Sequence, residues 1–389
     1  MSTIKDKITG FDLGDPDKKP FSSNSVSLEI VQEALKTMIL SASGWRKVFA
    51  LGGDEESTTN EISDSDKVIS AGMAKVFSDF VKESTGKMNP EIILSQDSRH
   101  TGTAIADVMI RVFISQGVKV QYLFISAAPE TFAYAKKCNE TDGFAYISAS
   151  HNPIGHNGAK FGLSTGGVID GDQAKPLIEK FRNLLSSQES INNLVELTNR
   201  TESNNILNVY NLSDSYRDAA KLAYSHFTNE VISGSDDLDI QDKFLSILKN
   251  KIEKKGFGII AEFNGSARTL SIDSDYLEAI GVTVKRVNGK PREITHRIVP
   301  EGRSLNLCRE ILEDSHKIDS KFALGYVPDN DGDRGNVVYF NTETGHAEII
   351  DAQTVFAISV LSEISSLYYK DSNPGKVAVA VNGPTSMRI

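Results

Sequence analysis

The chain lacks the marks of several large functional classes. It has only two cysteines, Cys138 and Cys308, set far apart and in no metal-ligand spacing, which excludes a disulfide framework and leaves two free thiols. No apolar run is long enough to cross a bilayer, and Met1–Lys7 has no apolar segment of the signal-peptide kind, so no membrane partner is expected and the cytoplasm is the default location. Positive charge is also scarce. Against 52 Asp and Glu stand 42 Lys and Arg, and the resulting net charge of −10 argues against general attraction to nucleic acid. Any phosphorylated substrate must then be held by a few local cations.

What the chain does have is alternation. Residues 91–94 read as a strand, Ile105 to Phe113 as a helix, 118–125 as a strand, 130–137 as a helix and 144–149 as a strand. That order implies a parallel sheet with crossover helices, in which ligands gather at the carboxyl ends of strands. Gly52 to Asp66 is an acidic excursion before a helix at 68–81, and the polar stretch from Ser186 to Asn205 reads as a domain boundary or an exposed connection. A second unit follows, with a helix at 244–252 and strands at 258–263, 282–287 and 322–327, the first of them leading through a turn at 264–266 into another helix. A helix at 351–367 and a strand at 377–381 open a third.

Two of the predicted strand ends carry chemistry. Residues 144–149 run into Ser150-His151-Asn152-Pro153-Ile154-Gly155-His156-Asn157-Gly158-Ala159-Lys160. Such residues also build ordinary surface turns. A serine held out from the backbone beside His151, with Lys160 able to fold back over it, is nonetheless a nucleophile or phosphate carrier in waiting. Strand 322–327 runs into Pro328-Asp329-Asn330-Asp331-Gly332-Asp333-Arg334, whose alternating carboxylates offer three hard oxygens to Mg2+. A calcium loop is excluded: it needs glycine at its sixth position and glutamate at its twelfth, where this chain has Arg334 and Phe340.

Together these strings resemble the phosphoserine loop, Thr/Ser-Ala-Ser-His-Asn-Pro followed by Asn-Gly-x-Lys, and the metal loop, Asp-x-Asp-x-Asp-Arg, of the phosphohexomutases. Ser41-Ala42-Ser43-Gly44-Trp45-Arg46 is similar to that family's N-terminal Thr-Ser-Gly-x-Arg-Gly segment, with Lys47 in place of glycine and a changed turn expected there. Gln96-Asp97-Ser98-Arg99 is similar to its Gly-Arg-Asp-x-Arg segment.

The resemblance implies successive α/β domains with mixed, largely parallel sheets. Residues 1–205 would be domain I with the phosphoserine loop, 206–341 domain II with the metal loop, and 342–389 an incomplete start of domain III. No Gly-Glu-x-Ser-Gly-His or Arg-x-Ser-Gly-Thr loop is found, so a fragment or truncated relative is expected.

It further implies interconversion of hexose 1-phosphate and hexose 6-phosphate, glucose and mannose favoured, with a hexose 1,6-bisphosphate as intermediate and activator. Ser150 would carry the phosphoryl group. Asp329, Asp331, Asp333 and the phosphate on Ser150 would bind Mg2+. Arg334 would stabilise the transferring oxygens, Arg46 would face the active site as a further catalytic cation, and Lys160, its pKa lowered by neighbouring cations, would exchange the proton. His151 would orient the loop, and Arg99 and Asn157 would contact substrate. Oligomeric state stays open. Two other functions fit less of the sequence: a phosphatase using an aspartate nucleophile, and a catalytically silent sugar-phosphate-binding protein.

Overall fold

The computed structural model describes residues 3–299, 301–370 and 373–381, and the end of the expected third domain, 382–389, lies outside them. The chain opens with a short antiparallel pair, β1 (Ile4–Lys5) and β2 (Asp12–Gly14), and helix α1 (Leu28–Lys36). Strands β3 (Ile39–Ser41) and β4 (Gly44–Val48) form a hairpin. Helix α2 (Asp64–Thr85) begins where Ser63 accepts the Asp66 amide and ends at Gly86, whose φ of 71° is cheap only for glycine. The expected alternation then follows: β5 (Glu91–Gln96), α3 (Gly102–Ser115), β6 (Lys119–Ile125), α4 (Ala128–Lys137) and β7 (Gly143–Ile147), with β5 parallel to both β6 and β7.

Past the serine the chain does not stay a loop as far as Lys160. Strand β8 (His156–Leu163) returns antiparallel to β7 and also pairs with β4, giving the order β3-β4-β8-β7-β5-β6. Lys47 therefore lies in mid-strand opposite Asn157, and the turn expected there is absent. Its ammonium is buried against Asp66 of α2 and sits 5.5 Å from the Phe49 ring.

Helices α5 (Gly171–Leu184), α6 (Gln188–Asn199) and α7 (Ser203–Ser233) correct the reading of 186–205 as an exposed connection. Ser187 caps α6, which buries Ile191, Leu194, Val195 and Thr198 at helical spacing, so an apolar stripe outweighs polar composition. Helix α7 crosses the boundary drawn at 205/206 and packs on β6 and α4 of the first unit. The first core surrounds Trp45, whose ring centroid lies 4.7 Å from that of Phe181 and 5.2 Å from that of Phe161.

Helix α8 (Leu238–Lys255) leads to the second unit: β9 (Gly258–Glu262), a 3-10 turn at Ala267–Leu270, short helix α9 (Asp273–Ala279), β10 (Thr283–Val287), α10 (Asn306–Ile318) and β11 (Phe322–Pro328). Strands β12 (Gly335–Asn341) and β13 (His346–Ile350) complete its sheet in the order β10-β9-β11-β12-β13. Both sheets are mixed, with parallel pairing confined to β7-β5-β6 and β10-β9-β11. Because β13 pairs with β12, the second sheet runs past the expected boundary at 341. Helix α11 (Ala352–Lys370) follows, whereas residues 373–381 are without regular structure, so the strand expected at 377–381 is not formed. Among the described residues no helix is long and apolar enough to cross a membrane.

Candidate functional site

The serine loop leaves the carboxyl end of β7 and the aspartate loop leaves that of β11, and the two units meet so that the loops touch. Ser150 takes a left-handed φ of 54°, strained for a residue with a Cβ, which turns its side chain toward the second unit. Its hydroxyl donates to Asp329 Oδ2 at 3.0 Å and lies 3.4 Å from His151 Nδ1. The Ser150 amide donates to Ser148 Oγ at 2.8 Å, and Ser148 Oγ donates to Asp331 Oδ2 at 3.2 Å. Ser148 thus joins the two loops, a role its place two residues before Ser150 could have suggested.

The three carboxylates offer oxygens that all lie within 4.8 Å of one another. Asp329 and Asp331 are fully buried, and Asp333 is exposed. Burial, together with Asp331 and Asp333 nearby, pushes the Asp329 carboxyl well above its usual range. Burial acts the same way on Asp331, but the Lys160 ammonium outweighs it and holds that carboxyl low. Asp331 Oδ1 is buried without a partner. An orphaned carboxylate oxygen among three hard donors fits a divalent cation such as Mg2+.

Lys160 reaches across from β8 to Asp331 Oδ2 at 2.7 Å and Asp333 Oδ2 at 2.9 Å. Burial alone would lower its pKa, but these carboxylates raise it instead. This corrects the expectation of a lysine readied for proton exchange by neighbouring cations, since its nearest charges are anions. Gly158 of the same strand is required by packing: a Cβ there would lie 1.9 Å from the Trp45 carbonyl oxygen.

Arg99 also departs from its expected role. It is fully buried and uses every N–H of its guanidinium. Nε donates to Asp97 Oδ2 at 3.1 Å, Nη2 to the carbonyls of Ser150 and Asn152 at 2.7 and 2.6 Å, and Nη1 to those of Pro153 and His156. It clasps the serine loop from behind and has no donor left for substrate. Asn157 is likewise buried, donating to Thr101 Oγ1 at 3.0 Å and accepting the Gly158 amide, so it too is a framework residue. Between Asp97 and Arg99, Ser98 Oγ donates to Asn330 Oδ1 at 2.7 Å and ties the clasp to the aspartate loop.

The remaining predicted residues gather at the open side. Arg46, half-buried on β4, donates through Nη2 to Ser43 Oγ and O at 3.2 and 3.3 Å; burial lowers its pKa while Asp331 and Asp333 oppose the shift. Arg334 is half-exposed, with Nε 4.0 Å from Asp329 Oδ2. His151 is partly exposed, and burial and the nearby arginines depress its pKa, which keeps the imidazole neutral near pH 7.

Residues 42–188 match the family model for phosphoglucomutase/phosphomannomutase α/β/α domain I. The chain is 26% identical to phosphoglucomutase of Staphylococcus haemolyticus over 174 residues, and 32% identical to phosphoglucosamine mutase of Listeria welshimeri over 101 residues. Those stretches are 45% and 26% of this chain but only 29% and 21% of the two relatives. A crystal structure of a phosphoglucomutase/phosphomannomutase family protein from Burkholderia thailandensis shares the fold at a TM-score of 0.50 and 18% identity, over 84% of this chain and 60% of that one. Residues 42–188, which include the serine loop, are thus similar to domain I of the phosphohexomutases, and the matched stretch ends before the aspartate loop.

Proposed function

We propose that this chain carries the phosphoserine chemistry of a phosphohexomutase, which interconverts hexose 1-phosphate and hexose 6-phosphate with glucose or mannose phosphate as favoured substrate. The observation that carries the reading is the meeting of Ser150 Oγ with Asp329 Oδ2 at 3.0 Å, inside a group of three carboxylates with one unpartnered buried oxygen. Asp329, Asp331 and Asp333 would hold Mg2+. When bound, the cation supplies positive charge that offsets the phosphate oxygens during transfer.

In the transfer step the sugar hydroxyl oxygen bonds to phosphorus as the bond from phosphorus to Ser150 Oγ breaks. The hydroxyl proton passes to neutral His151 and from it to Ser150 Oγ, so charge balances within the pair. The sugar then carries two phosphates, turns over, and returns the other to Ser150 by the reverse step. Lys160, kept protonated, stays a fixed cation beside the carboxylates, while Arg46 and Arg334 line the side from which an anion approaches. Arg99 fixes the loop carbonyls and so the direction of attack.

Incubation with glucose 1,6-bisphosphate and Mg2+ should place one phosphate on the Ser150 peptide, stable to mild alkaline hydroxylamine, and Ser150→Ala should remove it. A hydroxylamine-labile label on Asp329 would favour the aspartate-nucleophile phosphatase instead.

A further inference from the structure

The backbone of the aspartate loop is fully matched even though its carboxylates are not. Every carbonyl from Asp329 to Gly332 has a donor. Asp329 O accepts the Gly332 amide at 3.1 Å, Asn330 O the Ala267 amide at 2.9 Å and Asp331 O the Ala128 amide at 2.8 Å, while Gly332 O accepts from Arg268 Nε at 2.9 Å. Only the last of these donors is a side chain, and it acts where the loop is most easily deformed. Gly332 has a left-handed φ of 73°, and a peptide beside glycine turns at little steric cost. The carbonyl that Arg268 holds belongs to the peptide between Gly332 and Asp333, so its orientation decides where the Asp333 carboxylate stands against that of Asp331. The arginine stem also packs on the glycine: a Cβ on Gly332 would lie 2.6 Å from Arg268 Cγ and 2.7 Å from its Nε.

Arg268, on the 3-10 turn Ala267–Leu270, is braced on its other side. Its Nη1 donates to the Tyr224 hydroxyl of α7 at 3.0 Å and to the two Asp273 oxygens of α9 at 3.2 and 3.3 Å. The guanidinium lies 5.6 Å from the centre of the Tyr224 ring, and Asp273 Oδ1 accepts in addition from the Tyr326 hydroxyl of β11 at 3.1 Å. The donor that meets Gly332 is therefore set in place by three elements. Both members of the Arg268–Asp273 pair are largely buried, so it is not a surface ion pair screened by water.

We propose that Arg268 is a positioning residue of the carboxylate site, which acts through the Gly332 carbonyl to fix the separation of Asp331 and Asp333 that a small divalent cation needs. The proposal rests on the reading of Asp329, Asp331 and Asp333 as a Mg2+ site. Mg2+ demands near-octahedral oxygens at about 2.1 Å, whereas Ca2+ accepts a looser set at about 2.3–2.6 Å. Loss of a positional restraint therefore weakens Mg2+ binding more than Ca2+ binding, and a general loosening of the fold weakens both alike.

Calorimetric titration of the full chain with Mg2+ and, separately, with Ca2+ tests this. Arg268→Lys puts a methylene where Nε stood and keeps an ammonium for Asp273, so it removes the bond to Gly332 and spares the ion pair. Its Mg2+ affinity should fall about 10-fold, the scale of one charge-assisted hydrogen bond, and its Ca2+ affinity by less than about 3-fold. Gly332→Ala presses on the same contact from the loop side and should lower the Mg2+-to-Ca2+ affinity ratio in the same direction, which carries the test should Arg268→Lys not fold. Tyr224→Phe leaves the bond to Gly332 in place and should keep the parent's ratio. An unchanged ratio in Arg268→Lys or in Gly332→Ala, or a fall in Tyr224→Phe equal to that in Arg268→Lys, overturns the proposal. A parent that binds no Mg2+ at millimolar concentration overturns the Mg2+ reading of the carboxylates and this proposal with it, whereas a parent that binds Mg2+ beside an Arg268→Lys variant that binds it as well overturns this proposal alone.

Discussion

The two loops that meet at Ser150 are built on opposite principles. On the first unit's side polar groups are matched: Arg99 spends all its donors on Asp97 and four loop carbonyls, and Ser148 takes the Ser150 amide. On the second unit's side three carboxylates crowd together, one keeps an unpartnered oxygen, and a single lysine offsets two of them. The difference teaches where each loop gets its shape. The serine loop is shaped by hydrogen bonds from its own unit, whereas the aspartate loop keeps a buried carboxylate oxygen without a protein partner among the described residues.

The sharpest way to break this comparison is to remove the clasp. Arg99→Met would leave Asp97 and the loop carbonyls buried without their donor, and should cost about 3–5 kcal/mol of unfolding free energy in urea. A loss under about 1 kcal/mol would show that the loop does not depend on it. Next in size is the cation. Mg2+ at roughly 100 times its dissociation constant should add about 2.7 kcal/mol, seen as a rise in Tm, and Asp331→Asn should remove most of that rise while leaving urea unfolding of Arg99-dependent structure intact. A Tm insensitive to Mg2+ in the parent would mean the carboxylates are shaped for another purpose. The smallest effect concerns backbone strain. Ser150→Gly and Ser150→Ala both lose the hydroxyl, but only glycine is relieved at a φ of 54°, so Gly should be more stable than Ala by roughly 1 kcal/mol. Equal stabilities would place the strain elsewhere.

Much of the site could be read from the chain because its chemistry is local. Ser150 and His151 are neighbours, and Asp329, Asp331 and Asp333 alternate, so each group forms a short contiguous string whose resemblance to the phosphohexomutase loops singles it out, and the sequence also places both loops at strand ends. The contrast between the loops was hidden for a physical reason. Arg99 in a sequence looks the same whether it faces a phosphate or turns inward to a set of carbonyls, and only the fold of 150–156 around it decides. The pKa direction of Lys160 was missed similarly, because its partners lie on a loop more than a hundred residues away. In the fold, the Pro- and Gly-rich string after Ser150 reads as loop, yet β8 begins at His156, and Gly158 is there for close approach to Trp45. Composition concealed α6, whose stripe of Ile191, Leu194, Val195 and Thr198 was visible to anyone counting in steps of three and four.

Ser98 has a mechanical meaning beyond its hydrogen bonds. Its hydroxyl grips Asn330 of the second unit, its carbonyl receives Arg292 of the same unit, and its neighbour Arg99 grips the serine loop of the first. Ser98 is thus a rivet rather than a bearing: with the Ala128 amide on the Asp331 carbonyl and the Ser271 hydroxyl on Glu130, it fastens the two units at several separated points, and a joint riveted at several points resists rotation, which keeps Ser150 and Asp329 in register.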